Sequence, residues 1–274
     1  MSVAEAKTLI TVTRPGQIER KMFIVIDEHS LKTILNSQSK CLGCIESSNP
    51  YYPGMATSTV ENYLKHVLLL SEGSEELVSM GALAAALDVV PGTATTMVKG
   101  MADEGLVEHQ PRYGVKLTAE GRRVALNVLR KHRLIETFLV NVLKMDWSKV
   151  HVEAERLEHA ISDEVLNRLD ALLGHPSTDP HGDPIPNRQG KLSYQVYATL
   201  ATCALEKPVR VVRVTEQSVE FLQFVEQNGL SPGATIRVVD RNLAAGLVAL
   251  KKGAARGPAL SVAAAGKILV EPEK

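Results

Sequence analysis

Apolar positions recur at helical spacing through most of the chain after residue 55 and switch to strand-like runs near its C-terminal end. The spacing predicts an amphipathic helix over Val60 to Leu70 and a second, Ala-rich helix over Glu75 to Leu87 in which Leu77, Leu83 and Leu87 pack. A turn at Val90-Pro91-Gly92 precedes Thr93 to Met101, a segment that opens on small hydroxyl residues, carries Val98 and Met101 toward a core and ends at Glu104-Gly105. Leu106 to His109 and Val115 to Leu117 are short strands around Gln110 to Gly114, a hairpin turn with Pro, Gly and a basic tip. Helix, turn, helix and hairpin in this order predict a winged helix-turn-helix. Two longer helical patterns follow, from Ala119 to Leu143 and from Trp147 to Leu173 with its continuation; Gly174 to Pro186 is a loop by composition, and the stretch to Lys207 is a poorly patterned linker. Val209 to Val214, Thr235 to Val239, Gly246 to Leu250 and Lys267 to Val270 read as strands, with a short helix near Ser218 to Gln227 and a turn at Ser231-Pro232-Gly233. They suggest a small SH3-like β-barrel, so the fold class is mainly α with a small β part.

Composition narrows the setting. A chain of 274 residues with 45% hydrophobic content can bury a sizeable core in two or three units. No run of about 18 apolar residues predicts a membrane span, and the N-terminus lacks a basic-then-apolar leader, so no membrane partner and a cytoplasmic location are expected. Residues 1–54 read as an extension of uncertain status, with one apolar run at Phe23 to Ile26 and a lone Cys41-x-x-Cys44 that has no second pair to complete a zinc site. Met55, just ahead of the first well-patterned helix, is the expected natural start. The formal net charge is zero, so an argument for nucleic acid has to be local. One exists: from Arg112 to Arg133 the basic residues Arg112, Lys116, Arg122, Arg123, Arg130, Lys131 and Arg133 face a single acid, Glu120. With a helix suited to the major groove, the expected DNA contacts are Thr93, Thr95, Thr96 and Lys99, joined by Arg112 and Lys116 on the hairpin.

The candidate chemistry lies on the two long helices. Each helical residue advances about 100°, so with His151 at zero Glu155 falls near 40°, Glu158 near −20° and His159 near 80°. Val150, Ala154, Leu157 and Ile161 lie beside that arc as the expected core-facing stripe, while Glu153 and Arg156 point to water. On the preceding helix, His132 and Glu136 sit among Ala125, Val128, Leu129, Ile135 and Leu139, all apolar. A buried carboxylate needs a cation or a donor. A mixed imidazole and carboxylate set suits a divalent transition metal, and such residues gathered on two apolar faces favour a metal over a self-satisfied hydrogen-bond network. His175, His181, Asp179 and Asp183 in the loop are read as turn-formers.

These motifs are familiar together. Leu129 to Glu136, Lys149 to His151 through Glu158-His159, Ser162 to Val165 and His181-Gly182-Asp183-Pro184-Ile185-Pro186 resemble the diphtheria toxin repressor family of iron- and manganese-dependent regulators, from about Thr59 to the C-terminus. The resemblance implies a winged helix-turn-helix over 55–118, a metal-binding and dimerisation domain over 119–186, a linker over 187–207 and an SH3-like FeoA-type domain over 208–274. It implies a homodimer that binds a double-stranded DNA operator when loaded with Mn²⁺ or Fe²⁺ and represses metal-uptake genes. His132, Glu136 and His151 match one family metal site; Glu155, Glu158 and His159 match the other. Glu155 stands where iron-responsive members carry cysteine and manganese-responsive members glutamate, a harder ligand that favours Mn²⁺. Asn62 replaces the family's first-helix Met or Asp with a weaker, neutral amide, and His66 one turn on is a candidate to compensate. The barrel ligands of the iron-responsive branch have no clean counterpart; Glu220 and Gln223 are only nearby. Two other classes stand beside this reading, a di-metal enzyme and a barrel-mediated adaptor of metal transport. Against an enzyme, Glu155 to His159 is i,i+4 rather than the Glu-x-x-His spacing of di-metal bundles, and no nucleophile or phosphate-cradling loop accompanies the cluster.

Overall fold

Thr57 fixes where the first helix begins: its hydroxyl accepts the backbone N–H of Val60 at 3.3 Å, and α1 runs Ser58–Leu70. The computed structural model describes residues 57–71, 76–252 and 255–273. The readings made for residues 1–54, including Cys41 and Cys44, and for Met55 as a start lie outside these residues. α1 turns Tyr63, Leu64, Val67 and Leu68 inward, and burial of each aliphatic side chain of this size stabilises by about 1.5–3 kcal/mol. α2 spans Met80–Ala86 and starts later than the periodicity suggests. Val78 is pulled into an extended bridge with Val115, donating to its carbonyl at 2.8 Å and accepting its N–H at 2.9 Å, so the helix waits for Ser79 to cap it. α3 is Pro91–Asp103, and the Pro-Gly read as a turn lies inside its first turn; proline is at home there because its missing N–H has no intrahelical partner to lose. The bend between α2 and α3 is 105°, as a helix-turn-helix requires.

The wing is β1 (Val107–Gln110) paired antiparallel with β2 (Gly114–Leu117). Gly114 has φ +148°, and a Cβ there would lie 2.4 Å from the Val78 carbonyl oxygen, so only glycine lets the bridge close. Thr118 then caps α4 (Ala119–Asn141) through the Gly121 N–H at 3.1 Å. α4 is the spine of the molecule. Its Ala125, Leu126 and Leu129 complete the winged-helix core, while Ile135 and Leu139 pack on Val150 and Ala154 of α5 (Val150–Leu157). Leu157, expected in the core stripe, is 40% exposed, because α5 ends there and Glu158 begins a turn. α6 (Asp163–Leu172) follows under a Ser162 cap.

The last unit comprises β3 (Ala198–Thr199), β4 (Pro208–Val214), α7 (Val219–Gln227), β5 (Thr235–Asn242), β6 (Leu247–Lys252), β7 (Ala255–Ser261), α8 (Val262–Ala265) and β8 (Ile268–Pro272). Its strands form one antiparallel six-stranded sheet in the order β3-β8-β4-β5-β6-β7. The expected linker is shorter at its C-terminal end: β3 pairs with β8, and Leu200 and Cys203 enter the sheet's core. A two-residue strand is too short to show a period. β7 and α8 are additional to the sequence reading; Gly257 and Pro258 obscure the strand pattern of β7. Among the described residues no single helix is long and apolar enough to cross a membrane.

Candidate metal centre and nucleic-acid interface

His132 and Glu136 lie one turn apart on α4, both buried, and α5 brings His151 to them from its first turn. His132 Nε2 is 3.0 Å from Glu136 Oε1 and 3.0 Å from His151 Nδ1, and His151 Nδ1 is 3.3 Å from the same glutamate oxygen. Burial alone would lower the His132 pKa; the carboxylates of Glu136 and Glu158 outweigh it and raise it to about 9. Burial likewise opposes ionisation of Glu136, yet the charge and hydrogen bonds of His132, with His151, hold that carboxyl well below the usual range.

The second group forms where α5 ends. Glu158, wholly buried, places Oε2 2.5 Å from His132 Nδ1 and Oε1 3.3 Å from His159 Nε2. His159 Nε2 is also 2.9 Å from Asn62 Oδ1, and its Nδ1 is 2.5 Å from Glu61 Oε2. α1 of the winged helix is thus tied directly to the α5 end. The common arc read for His151, Glu155, Glu158 and His159 divides in space: His151 reaches back to α4, whereas His159 lies past the helix end and faces α1. Glu155 joins a group with His132 and Glu158, the ligand atoms of all three lying within 4.8 Å of one another. Its Oε1 is 2.8 Å from Lys65 Nζ and 3.8 Å from His151 Nε2. Burial opposes its ionisation, and Lys65 prevails and lowers its pKa. His66 Nδ1 is 2.8 Å from the Asn62 carbonyl on its own helix.

The turn-forming reading holds for Asp179, whose Oδ1 accepts the N–H groups of His181 at 2.8 Å and Asp183 at 2.9 Å. It misses that Asp179, His181 and Asp183 are all buried against the site. His181 Nε2 donates to the Trp147 carbonyl at 2.9 Å, which leaves its Nδ1 lone pair buried, without a hydrogen-bond partner among the described residues. That atom lies 3.8 Å from Glu136 Oε2 and 4.0 Å from Asp179 Oδ1. Burial, with Asp183 and Glu136 nearby, pushes the Asp179 carboxyl well above its ordinary pKa. Glu61 and Lys65 were missed as well, since helical periodicity identifies a face and not its partner on another element. Only the density of Asp and His in Asp179 to Asp183 carried a signal.

The residues fit a divalent cation. Imidazole nitrogens and carboxylate oxygens converge under low exposure, the orphaned His181 nitrogen faces two carboxylates, and an ammonium already stands among the glutamates. His132, Glu136 and His151 could serve as one donor set. Asn62, Glu158 and His159 could serve as another, with Glu61 at the far nitrogen of the His159 ring, where a carboxylate stands behind a metal-bound histidine.

On the winged helix, Thr93, Thr96 and Lys99 of α3 are exposed and Thr95 is half-buried. The hydroxyls of Thr95 and Thr96 donate to the Pro91 and Gly92 carbonyls at 2.8 and 3.0 Å, so only their lone pairs remain for an outside partner. Arg112 is exposed at the wing tip, whereas Lys116 Nζ is 3.0 Å from Glu108 Oε2. Of the seven basic residues read as a phosphate-binding excess, Arg130, Lys131 and Arg133 are buried, Lys116 and Arg122 are half-buried, and Arg112 and Arg123 are exposed. Arg130 bonds the Pro186 carbonyl at 2.7 Å and pairs with Asp170 at 2.9 Å, Arg133 donates to the Pro184 carbonyl, and Lys131 is buried. Arg123 is paired with Glu120 at 2.6 Å. α4 is covered on several sides, so its cations serve its neighbours.

A winged helix whose first helix shares a His/carboxylate cluster with a helical unit, followed by a small antiparallel domain, describes one architectural class. Family models match it in the same order: the iron-dependent repressor N-terminal DNA-binding domain over 55–115, the iron-dependent repressor metal-binding and dimerisation domain over 118–187, and the FeoA domain over 198–272. The diphtheria toxin repressor of Corynebacterium diphtheriae is 33% identical over 196 residues, covering 67% of this chain and 85% of that protein. The iron-dependent repressor IdeR of Mycobacterium tuberculosis is 40% identical over 129 residues, 47% of this chain; the match spans only 55% of the relative's length. Among solved structures, a manganese-dependent transcriptional repressor in complex with manganese superposes with a TM-score of 0.71 at 38% identity, covering 78% of this chain and all (100%) of the other. The manganese regulator SloR gives 0.63 at 33% identity, over 78% of this chain and 98% of that one. The chain belongs to the iron-dependent repressor family, that of the diphtheria toxin repressor.

Proposed function

We propose that this chain is a transcriptional repressor that senses Mn²⁺ or Fe²⁺, binds operator DNA as a homodimer in the cytoplasm and controls metal-uptake genes. The observation that carries the reading is the joint between Asn62 and Glu61 of α1 and His159 beyond α5, since it connects the DNA-binding unit to the donor sets. His132, Glu136 and His151 would hold one ion; Glu155, Glu158 and His159, with Asn62 from α1, would hold the other. A divalent ion, when bound, would supply the positive charge that these ligands share. The chain's own residues do the rest: α1 carries that constraint into the core of which α3 is part, so the recognition helix is held relative to the dimer. Thr93, Thr95, Thr96 and Lys99 then meet the major groove, with Arg112 and Lys116 at the backbone. Leu157, Val165 and Leu172 are exposed apolar side chains on the helical unit of the single chain, which supports burial against a second copy. Homologues named for iron and for manganese support both ions, and the hard oxygen donors favour Mn²⁺.

The test is fluorescence anisotropy of labelled DNA from the protein's own promoter region, first with chelated protein and then with Mn²⁺ or anaerobic Fe²⁺. Binding that appears only with metal, and is lost in Glu158→Gln and His159→Ala, is the expected result. Equal DNA binding with and without metal would overturn it.

A further inference from the structure

Lys65 is an unusual residue to find on the inner face of α1. Its side chain is 3% exposed, and its ammonium lies 2.8 Å from Glu155 Oε1 and 2.6 Å from Glu158 Oε1. Ligand atoms of His132, Glu155 and Glu158 lie within 4.8 Å of one another, the spacing at which three donors can share one divalent ion. Two of those three already hold the lysine. The position lies between the two donor sets, because Glu158 also touches His132 on one side and His159 on the other. An unpaired ammonium would be costly to bury at this depth, and two glutamates left facing each other without a cation would repel. Each corrects the other.

We infer that the Lys65 ammonium is a built-in occupant of a third cation position, the one between Glu155 and Glu158. It keeps a bridging ion out and leaves divalent metal to the two flanking sets. This rests on the metal-sensing reading and deepens it: the cluster is regulated by its own lysine. Because Lys65 belongs to the DNA-binding unit, it also docks α1 on the helical unit before any metal arrives. Metal then adjusts an assembled joint at its two sides through Asn62 and His132.

The experiment counts Mn²⁺ per chain at saturation, by equilibrium dialysis and elemental analysis, in the full chain and in Lys65→Met. The methionine keeps the apolar stem and removes the charge, so the two glutamates lose their partner. The expected result is one additional Mn²⁺ equivalent per chain in the variant, with a thermal midpoint that falls in chelator and recovers with Mn²⁺. Lys65→Arg, which keeps the charge, keeps the wild-type count. The same count in Lys65→Met as in wild type overturns the inference. If Lys65→Met does not fold, Lys65→Gln is counted under the same two outcomes. Wild-type protein without Mn²⁺ beside a variant that takes one ion would leave this inference standing and remove the sensor reading; metal in neither removes both.

Discussion

At the scale of single residues, the joint between units depends on pairs in which one partner is a candidate ligand and the other orients it. Asn62 offers His159 a neutral carbonyl oxygen, while Glu61 engages the far nitrogen of the same ring at 2.5 Å. A carboxylate behind a ligating imidazole fixes its tautomer and raises its basicity. Glu61→Gln keeps the size and removes the charge, and is expected to weaken Mn²⁺ binding by about 10–100-fold with the fold intact. Isothermal titration with Mn²⁺ checks this, and an unchanged affinity would place Glu61 outside the centre. A second contrast concerns two lysines of the winged helix. Lys99 is exposed on α3, whereas Lys116 is already paired with Glu108. Lys99→Ala is therefore expected to reduce the slope of log K against log salt by about 0.9 per chain for each phosphate it leaves unneutralised. Lys116→Ala is expected to reduce it less. Equal slopes for both variants would show that the Glu108 pair opens on DNA.

At the scale of elements, α4 decides what was readable from sequence. A 23-residue helix displays its period over many turns, so the burial of His132 and Glu136 among Ala125, Val128, Leu129, Ile135 and Leu139 was visible in the spacing. α5 has eight residues, and extending its period past Leu157 put Leu157 in the core and all four ligands on one arc. The end of α5 was not legible because Glu158 and His159 are ordinary helix residues by propensity; their partners on α1 make the difference. The Arg130 and Arg133 charges misled for a related reason: a cation reads the same whether its partner is phosphate or a buried carbonyl. The Asp179 to Asp183 loop has no period, so only its composition could speak. The α4 start makes a sharper claim. A Cβ on Gly121 would lie 1.9 Å from the Leu106 carbonyl oxygen, where α4 rests on the wing. Alanine ordinarily stabilises a helix over glycine by about 1 kcal/mol, whereas forced overpacking costs about 1–3 kcal/mol. Gly121→Ala is therefore expected to lower the thermal midpoint, and a rise would mean that the helix and wing do not meet as described.

At the scale of the whole molecule, the FeoA-type unit abuts the candidate metal centre through one buried junction. Trp147, the single tryptophan of the chain, packs in that unit's core and stacks on His181 with ring centroids 5.4 Å apart. His181 in turn lies 3.8 Å from Glu136 Oε2, and its carbonyl accepts the Val214 N–H of β4 at 2.9 Å. Gly182, at φ +89°, passes so near β4 that a Cβ would lie 2.0 Å from the Val212 oxygen. The indole is therefore an internal reporter on the metal centre, and its emission is expected to change saturably with Mn²⁺. That signal permits a test of linkage between metal and DNA. If metal tightens operator binding by some factor, equilibrium requires operator to tighten metal binding by the same factor, typically about 5–150-fold or about 1–3 kcal/mol. The factor is obtained once from DNA anisotropy at saturating and zero Mn²⁺. It is obtained independently from the midpoint of the Trp147 titration with and without unlabelled operator. Agreement within error is expected if the joint from Asn62 to His159 couples the two events. A Trp147 midpoint that ignores DNA, while anisotropy still depends on metal, would mean that the indole follows an ion uncoupled from the operator and that another ion carries the regulation.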